Sequence, residues 1–431
     1  MLKFFNANNK NSLKKLELIL ASRKINQFPT SSVRKILADV RKQGDKAVVR
    51  YEKKFSNIKS KSQKIKFSKK EIDKILKKVD KRLKNSIDIA FTRIRRFHSK
   101  QRFESFKLID KFKNEMSYKF SPIEKVGVYV PGGTASYPST VLMNCIPALV
   151  AGVKNIYLTT PVLGTYVNPA IIYAAKKCGV KEIYKTGGAH SIAALTYGTK
   201  TFKKVNKIVG PGNAFVAAAK KEVFGEVGID MVAGPSEVSI VADKNSNPEW
   251  IASDLIAQAE HDTLAQSILI TNSRSLIKLV NLSIKSQLSK LPKKNIASKS
   301  IKKFGIGIFA SSQNKILDVI NLIAPEHLEI DFKNYSNIIN KVKNAGSIFI
   351  GKFSPEAMGD YIAGPNHVLP TSGSAKFSSG LSVNDFLKRH SLIKITKTGI
   401  ERLGPSVINL AKYENLEGHA NSIKIRLDKE Y

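Results

Sequence analysis

The chain is poor in cysteine and lacks long apolar runs. Its 431 residues include two cysteines, Cys145 and Cys178, and their spacing is typical of neither a metal site nor a redox site. So few cysteines give no sign of a disulfide scaffold, which fits a reducing cytoplasm. No stretch approaches the roughly 20 apolar residues that span a bilayer, and the first residues contain no apolar run of the kind found in a signal peptide. We therefore expect a cytoplasmic protein with no membrane partner.

Acidic residues are scarce relative to basic ones. Lys and Arg number 72 against 34 Asp and Glu, which gives a formal net charge of +38. Such a charge can indicate a nucleic-acid or membrane-surface partner. The alternative is a lysine bias spread over solvated surfaces. The basic residues form scattered doublets, such as Lys14-Lys15, and are not interleaved with the aromatic side chains that stack on bases. We therefore favour surface bias and expect no specific nucleic-acid partner.

Segments typical of strands and helices alternate along most of the chain. Apolar residues at three- and four-residue spacing predict helices from Ser31 to about Gln101, after a short helical arm at residues 1–27. From about Val126, β-rich runs alternate with helical segments, which indicates βαβ units and parallel sheets. The predicted strands are 126–130, 155–159, 182–185, 205–209, 238–241, 267–271, 306–309 and 347–350.

This alternation predicts an α/β fold with two Rossmann-like parallel-sheet domains. The first domain is expected to be discontinuous, with residues 28–128 joined to 237–380, and the second to cover residues 129–236. The helical arm at 1–27 precedes them, and a small C-terminal tail at 381–431 follows. A hydrophobic content of 42% is sufficient for a sizeable core.

Three predicted strands run into glycine-rich turns, at residues 129–133, 186–190 and 210–213. A glycine turn before a helix exposes backbone N–H groups that suit an anionic ligand, and such turns lie at the carboxyl ends of parallel strands. None of them is a G-x-G-x-x-G, since Phe215 occupies the third glycine position of the last one. Each turn alone is explained by a tight connection that needs glycine. Three on successive strands make a binding cleft an equal alternative.

Several polar residues could carry chemistry. Asn247-Pro248 predicts a helix start, and on that helix Gln258 and His261, three apart, would share a face. An imidazole and a carbonyl oxygen can both bind zinc, although a solvated helix face is the alternative. Asp360 lies in a predicted loop at 354–367, where a carboxylate could bind a cation or cap a helix. His419 in the tail could equally be an ordinary surface histidine.

Glu326 and His327 follow Pro325 and are expected in the first turn of a helix. An adjacent carboxylate and imidazole could serve as two separate proton acceptors. The alternative is an acidic first turn favoured by the helix dipole, which explains Glu326 but not His327.

Taken together, these segments resemble the histidinol dehydrogenase family over nearly the whole chain. The resemblance implies one zinc ion per subunit, bound by Gln258, His261, Asp360 and His419. Intertwined homodimers are also implied, in which His419 reaches the partner's site and residues 381–431 form a dimerisation tail. The matching stretches are 127–133, 210–216, 230–237, 257–262, 324–329, 344–349, 359–379 and 417–419.

The resemblance also implies the substrate and cofactor contacts. The substrate contacts would be Ser236, Gln258, His261, His327, Asp360, Glu414 and His419. In the second domain the NAD contacts would be Tyr129, His190 and Asn213. Position 190 is usually a glutamine in this family, so His190 departs from its pattern.

The implied reaction oxidises L-histidinol to L-histidine through histidinaldehyde with two NAD in turn, the last step of histidine biosynthesis. His327 would take the hydroxyl proton, and Glu326 would activate the water that attacks the aldehyde. Zinc would mainly position the substrate. The alternative is a sister dehydrogenase that oxidises another small polar alcohol. The residues Ser236, Glu414 and His419 favour histidinol.

Overall fold

The structure is a computed structural model that describes residues 1–22, 29–55, 65–101, 104–132, 137–162, 166–292 and 294–428. Its strands are β1 Lys3–Asn6, β2 Lys107–Ile109, β3 Glu115–Pro122, β4 Lys125–Tyr129, β5 Asn155–Thr159, β6 Glu182–Tyr184, β7 Lys207–Val209, β8 Gly228–Ile229, β9 Glu237–Ala242, β10 Gln266–Thr271, β11 Ile306–Phe309, β12 His327–Asp331, β13 Ser347–Ile350 and β14 Leu387–Lys394.

The α-helices lie between and after these strands. They are α1 Ser12–Ala21, α2 Thr30–Gln43, α3 Asp45–Phe55, α4 Lys69–Leu76, α5 Lys81–His98, α6 Pro138–Ala151, α7 Pro169–Lys177, α8 Gly188–Tyr197, α9 Ala214–Val223, α10 Pro248–Ala259, α11 Arg274–Leu288, α12 Lys294–Phe304, α13 Gln313–Ile323, α14 Ser336–Ile339, α15 Glu356–Tyr361, α16 Lys397–Tyr413 and α17 Glu417–Leu427. Among the described residues, none of these helices combines the length and apolar character needed to cross a membrane.

Two parallel sheets lie in one compact unit, made of residues 1–101 and 124–385. The six-stranded sheet has the order β1-β11-β10-β9-β12-β13, and the five-stranded sheet has the order β6-β5-β4-β7-β8. All strand pairs in both sheets are parallel. Every residue of β9 and β10 is buried, because helices cover both faces of a parallel sheet. The predicted α/β class with parallel sheets is confirmed.

The candidate functional residues lie at opposite kinds of edge in the two sheets. The glycine-rich turns follow β4, β6 and β7, so they lie at the carboxyl edge of the five-stranded sheet. Glu237 and His327 are the first residues of β9 and β12 and lie side by side at the amino edge of the six-stranded sheet.

The helices near the N-terminus pack on the five-stranded sheet. Val33, Ile36 and Val48 from α2 and α3 share a buried cluster with Tyr129 and Ile208 of that sheet. The predicted domain boundaries instead placed residues 28–128 with residues 237–380 of the other sheet.

A second compact unit comprises residues 104–123 and 386–428 of the described chain. In it β3 pairs with β2 on one side and with β14 on the other, and both pairings are antiparallel. Thr396 caps α16 by accepting a hydrogen bond from Gly399 N, and it also bonds to Asn114. Residues 386–428 of the predicted tail therefore form one unit with an earlier segment that the sequence analysis assigned elsewhere, whereas residues 381–385 belong to the first unit.

Three local predictions are wrong. The arm at residues 1–27 is not wholly helical, because β1 adds a parallel strand beside β11; residues 23–27 lie outside the described part. Segment 354–367 is not only a loop, because it contains α15 with Asp360 on it. Glu326 and His327 do not begin a helix: α13 has already ended at Ile323, and β12 begins at His327. There Leu328 and Ile330 alternate into the core as strand residues do.

Candidate active site

A cavity of about 310 Å³ in the first compact unit brings distant parts of the sequence together. One wall is the glycine turn at residues 210–213, and another is the connection that runs from Asp230 to Ser236. The side chains that could carry chemistry on its surface are Gln258, His261, Glu326, His327, Glu356, Asp360 and His367. Candidates separated by more than 100 residues therefore share one space.

His327 has a geometry that leaves one ring nitrogen available. Its Nδ1 lies 3.0 Å from the backbone oxygen of Glu237, so Nδ1–H donates to this carbonyl and Nε2 carries the lone pair. Among the residues that the structure describes, Nε2 has no hydrogen-bond partner, although the side chain is buried. Burial lowers the pKa of His327 to about 4, a shift that the nearby Asp360 carboxylate opposes. The imidazole is therefore neutral and can accept a proton at Nε2.

Glu326 is fixed beside His327 by the backbone. Its Oε2 accepts a hydrogen bond of 2.8 Å from Glu237 N and lies 3.7 Å from His327 Nδ1. The Glu326 carboxylate is buried and lines the cavity. Glu326 and His327, which the sequence analysis named as two separate proton acceptors, thus lie side by side at the cavity.

Glu356 is an acidic residue that the sequence analysis missed. Its Oε1 lies 3.5 Å from His327 Nδ1. The side chains of His327, Glu356 and Asp360 each offer one potential metal-ligating atom, and these three atoms lie within 4.8 Å of one another. Burial and the carboxylates of Asp360, Glu329 and Glu326 raise the pKa of Glu356 well above its ordinary value. The local signal was the i,i+4 spacing of Glu356 and Asp360 on one helix face.

His367 is a second imidazole beside Asp360. Its Nδ1 is 2.9 Å from the backbone oxygen of Asp360 and 3.8 Å from Asp360 Oδ1. Burial lowers the pKa of His367. Asp360 is therefore flanked by two neutral imidazoles, His327 and His367.

Gln258 and His261 lie at the end of α10. Asn247 starts this helix as predicted, with its side chain accepting hydrogen bonds from Glu249 N and Trp250 N. The helix ends at Ala259, so His261 lies just beyond it, one turn from Gln258 through a hydrogen bond of 3.3 Å from His261 N to Gln258 O. Both residues line the cavity.

The donor set suits a bound cation. Within the described ranges, neither side-chain amide atom of Gln258 has a hydrogen-bond partner, although its side chain is completely buried. A buried polar atom without a partner is costly, and a metal ion bound to Oε1 would remove that cost for the amide oxygen. Glu356 also lies beside the carboxyl groups of Glu326 and Asp360, whose charges help to raise its pKa, and a cation there would favour the ionised form of all three. Imidazole, carboxylate and amide oxygen are all zinc ligands.

The three predicted NAD contacts occupy different surroundings. Asn213 is exposed on the cavity, and its Oδ1 caps α9 by accepting from Phe215 N and Val216 N. Tyr129 is buried, its hydroxyl accepts a hydrogen bond from Gly188 N, and burial raises its pKa to about 12. His190 is buried, and its Nε2 lies 2.8 Å from Glu52 Oε2. The same Glu52 oxygen accepts hydrogen bonds from Thr186 and Gly187.

The remaining predicted residues divide between the two units. Ser236 lies on the cavity wall of the first unit. Glu414 and His419 belong to the second unit, and both are exposed. Glu414 directly follows α16, and His419 lies on α17. Gly133 of the first glycine turn lies outside the described residues. Cys145 and Cys178 are free and buried, in agreement with a packing role.

The fold and the cavity define a parallel α/β protein in which the glycine turn at residues 210–213 shares a cavity with carboxyl groups and neutral imidazoles. Comparison with known proteins agrees with this class. The family model described as histidinol dehydrogenase matches residues 21–427. The chain belongs to the histidinol dehydrogenase family, whose members are oxidoreductases.

Individual relatives match over at least 95% of their length. The chain is 54% identical to the histidinol dehydrogenase of Pelagibacter ubique, with 100% of both chains covered. It is 46% identical to that of Mesorhizobium japonicum, with 95% of each chain covered. The crystal structure of histidinol dehydrogenase from Elizabethkingia anophelis superposes with a TM-score of 0.92 at 38% identity, covering 99% of this chain and 98% of that one.

Proposed function

We propose that the protein oxidises L-histidinol to L-histidine through histidinaldehyde, with one zinc ion per subunit and two NAD in turn. This reaction is the last step of histidine biosynthesis. The observation that carries the proposal is the convergence of Glu326 and His327 with Gln258, His261 and Asp360 on one cavity. Proton acceptors and potential metal ligands are thus available to the same small substrate.

Zinc would be held by Gln258, His261 and Asp360, with His419 as the fourth ligand. The unpartnered amide of Gln258 and the surplus of carboxylates support this assignment. When bound, zinc supplies a fixed positive charge that grips the imidazole and amino nitrogens of histidinol and orients its carbinol carbon. Ser236 and Glu414 would add polar contacts to the substrate.

Each of the two proton acceptors acts in a different oxidation step. Nε2 of His327 takes the hydroxyl proton in the first step, because Nδ1–H is held by the backbone oxygen of Glu237. Glu326 takes a proton from the water that adds to the aldehyde, which gives the hydrate oxidised in the second step. NAD, when bound, accepts one hydride in each step. Asn213 is the NAD contact that the cavity supports most directly, whereas the Tyr129 hydroxyl bonds to Gly188 N and the His190 ring bonds to Glu52.

The active form would be a homodimer in which His419 acts on the partner's site. The second unit supports this, because Leu403, Val407 and Leu410 place an apolar stripe on the exposed surface of α16. A water-exposed stripe of this kind is stabilised when a second copy covers it. Two free buried cysteines agree with a reducing compartment, so we place the enzyme in the cytoplasm.

Purified protein supplied with zinc, NAD and histidinol tests the proposal. The expected result is two NADH formed for each histidine produced, with no NADH when histidinol is left out. If the protein does not oxidise histidinol but oxidises another small polar alcohol, the proposal is wrong and the protein is a sister dehydrogenase.

A further inference from the structure

We propose that Lys220 and Asp230 are a positioning pair that fixes the glycine turn at residues 210–213 for NAD. This inference rests on the proposed use of NAD. Neither residue belongs to the proton-accepting or metal-binding groups described above. Both lie on the cavity, and their side chains are about 2% and 1% exposed.

The pair holds both polar backbone groups of Gly210. Asp230 Oδ2 accepts a hydrogen bond of 2.8 Å from Gly210 N, and Lys220 Nζ donates one of 2.9 Å to Gly210 O. Lys220 Nζ also forms a short ion pair with Asp230 Oδ1, which in turn accepts from Met231 N at 2.7 Å. Lys220, Asp230 and the backbone of Gly210 thus form a closed ring of contacts around one residue.

No residue with a side chain would fit at position 210 in this conformation. The φ of 113° at Gly210 is strained for residues with a side chain, and a Cβ there would lie 2.1 Å from the backbone oxygen of Tyr129. The ring therefore stabilises a conformation that only glycine adopts. The other end of the turn is fixed separately, since Asn213 caps α9. Between these two anchors, Pro211 and Gly212 face the cavity.

Stability alone is a weak reason to bury this ion pair. Removing two charges from water is costly, and well-packed apolar residues of similar volume often serve a core equally well. The pair does something that apolar residues cannot do, because it satisfies a backbone N–H and a backbone carbonyl that leave β7 at the cavity wall. A turn fixed before the ligand arrives loses less conformational freedom on binding, which strengthens binding.

The pair also links the two halves of the site. Asp230 begins the cavity-lining connection that contains Ser236, and Lys220 lies on α9 behind the turn. A displaced Asp230 would move the cofactor turn and this connection relative to each other. The pair bonds directly to the turn, whereas Asp230 reaches Ser236 only through the intervening connection, so we expect the pair to affect NAD binding far more than histidinol binding.

Three variants of the zinc-loaded full chain separate positioning from folding. Lys220→Met leaves Asp230 buried without its cation, and Asp230→Asn leaves Lys220 buried without its anion. Each single variant is therefore expected to lower the melting temperature. The double variant Lys220→Met/Asp230→Asn removes both charges and is expected to recover most of that loss. Its dissociation constant for NAD should nevertheless stay at least 10-fold weaker than the wild-type value, while that for histidinol changes less than two-fold. Lys204→Met is the matched control, because it breaks the exposed 3.1 Å pair with Glu226.

The outcomes distinguish the inference from the function on which it rests. A double variant that binds NAD like the wild type, or that loses NAD and histidinol affinity in parallel, overturns the positioning role alone. A wild-type chain that binds no NAD overturns the proposed function and this inference with it. Hydrogen exchange of the wild-type segment 208–216 gives a check that needs no variant to fold. Protection of Gly210 N–H without NAD is expected, and exchange as fast as in an open loop contradicts the inference.

Discussion

His327 Nδ1 lies 3.0 Å from the backbone oxygen of Glu237, and this one contact determines which nitrogen of the imidazole faces the cavity. Because a main-chain carbonyl can only accept, Nδ1 must carry the hydrogen and Nε2 the lone pair. Glu237 N also donates to Glu326 Oε2. The backbone of a single residue at the start of β9 therefore orients both proposed proton acceptors.

The two proton acceptors should give different kinetic defects. We expect His327→Gln to slow oxidation of histidinol by about 10²- to 10⁴-fold, the usual contribution of a positioned base. Glu326→Gln should slow oxidation of supplied histidinaldehyde more than the first step, so that NADH per histidinol consumed falls from two toward one. Stopped-flow traces with each substrate measure the two steps separately. Equal slowing of both steps by both variants would contradict the division of roles.

Loss of the buried amide should weaken zinc binding without unfolding the chain. Gln258→Met keeps a side chain of similar volume but removes the oxygen ligand. Even outer-sphere partners of a metal site contribute 10- to 100-fold to affinity, so we expect a loss of at least about 10-fold. Competition with a chelator and zinc analysis of the dialysed protein measure it. Gln287→Met, on α11 outside the cavity lining, is the matched control and should keep wild-type affinity.

Complementation tests whether His419 acts across a dimer. His419→Asn and His261→Asn chains should each be inactive alone. In a mixed dimer one site would combine an intact His261 with the partner's intact His419. Random reassociation should then restore about one quarter of wild-type activity, because half of the dimers are mixed and each holds one complete site. Confirmed mixed dimers with no activity would exclude action in trans.

Stability should fall as the solution becomes acidic, partly because of His98. Its side chain is completely buried, and burial lowers the pKa of His98, an effect that a hydrogen bond with Gln101 opposes. Below the ordinary pKa of about 6.5 the unfolded chain binds a proton that the folded chain resists, so stability is present above this pH and is lost as pH falls. One such group changes the free energy of unfolding by at most about 1.4 kcal/mol per pH unit.

Denaturant titrations at saturating zinc, at about pH 7.5 and about pH 5.5, measure how the free energy of unfolding changes with pH. These two values lie on either side of the ordinary histidine pKa of about 6.5. We expect His98→Gln to flatten this pH dependence, whereas the exposed His390→Gln should retain the wild-type slope. An unchanged slope in His98→Gln would show that other groups account for the acid sensitivity.

The sequence by itself determined most of the secondary structure. Strands at 155–159, 306–309 and 347–350 have the predicted bounds, since apolar runs between glycine, proline and polar turns are a local property. Asn247 and Asn213 start their helices for an equally local reason, because a side-chain oxygen accepts from nearby N–H groups. The family resemblance was also present in the order of the motifs.

The tertiary structure decided what local patterns leave open. β1 and β12 are strands because neighbouring strands supply partners from far along the chain, which no local window contains. Glu356 and His367 enter the site, and the unpartnered amide of Gln258 is recognisable, only when burial and distances are known. The Lys220–Asp230 pair is likewise invisible as a sequence pattern. Burial makes such charges interact strongly, and burial is a property of the packed chain rather than of its sequence segments.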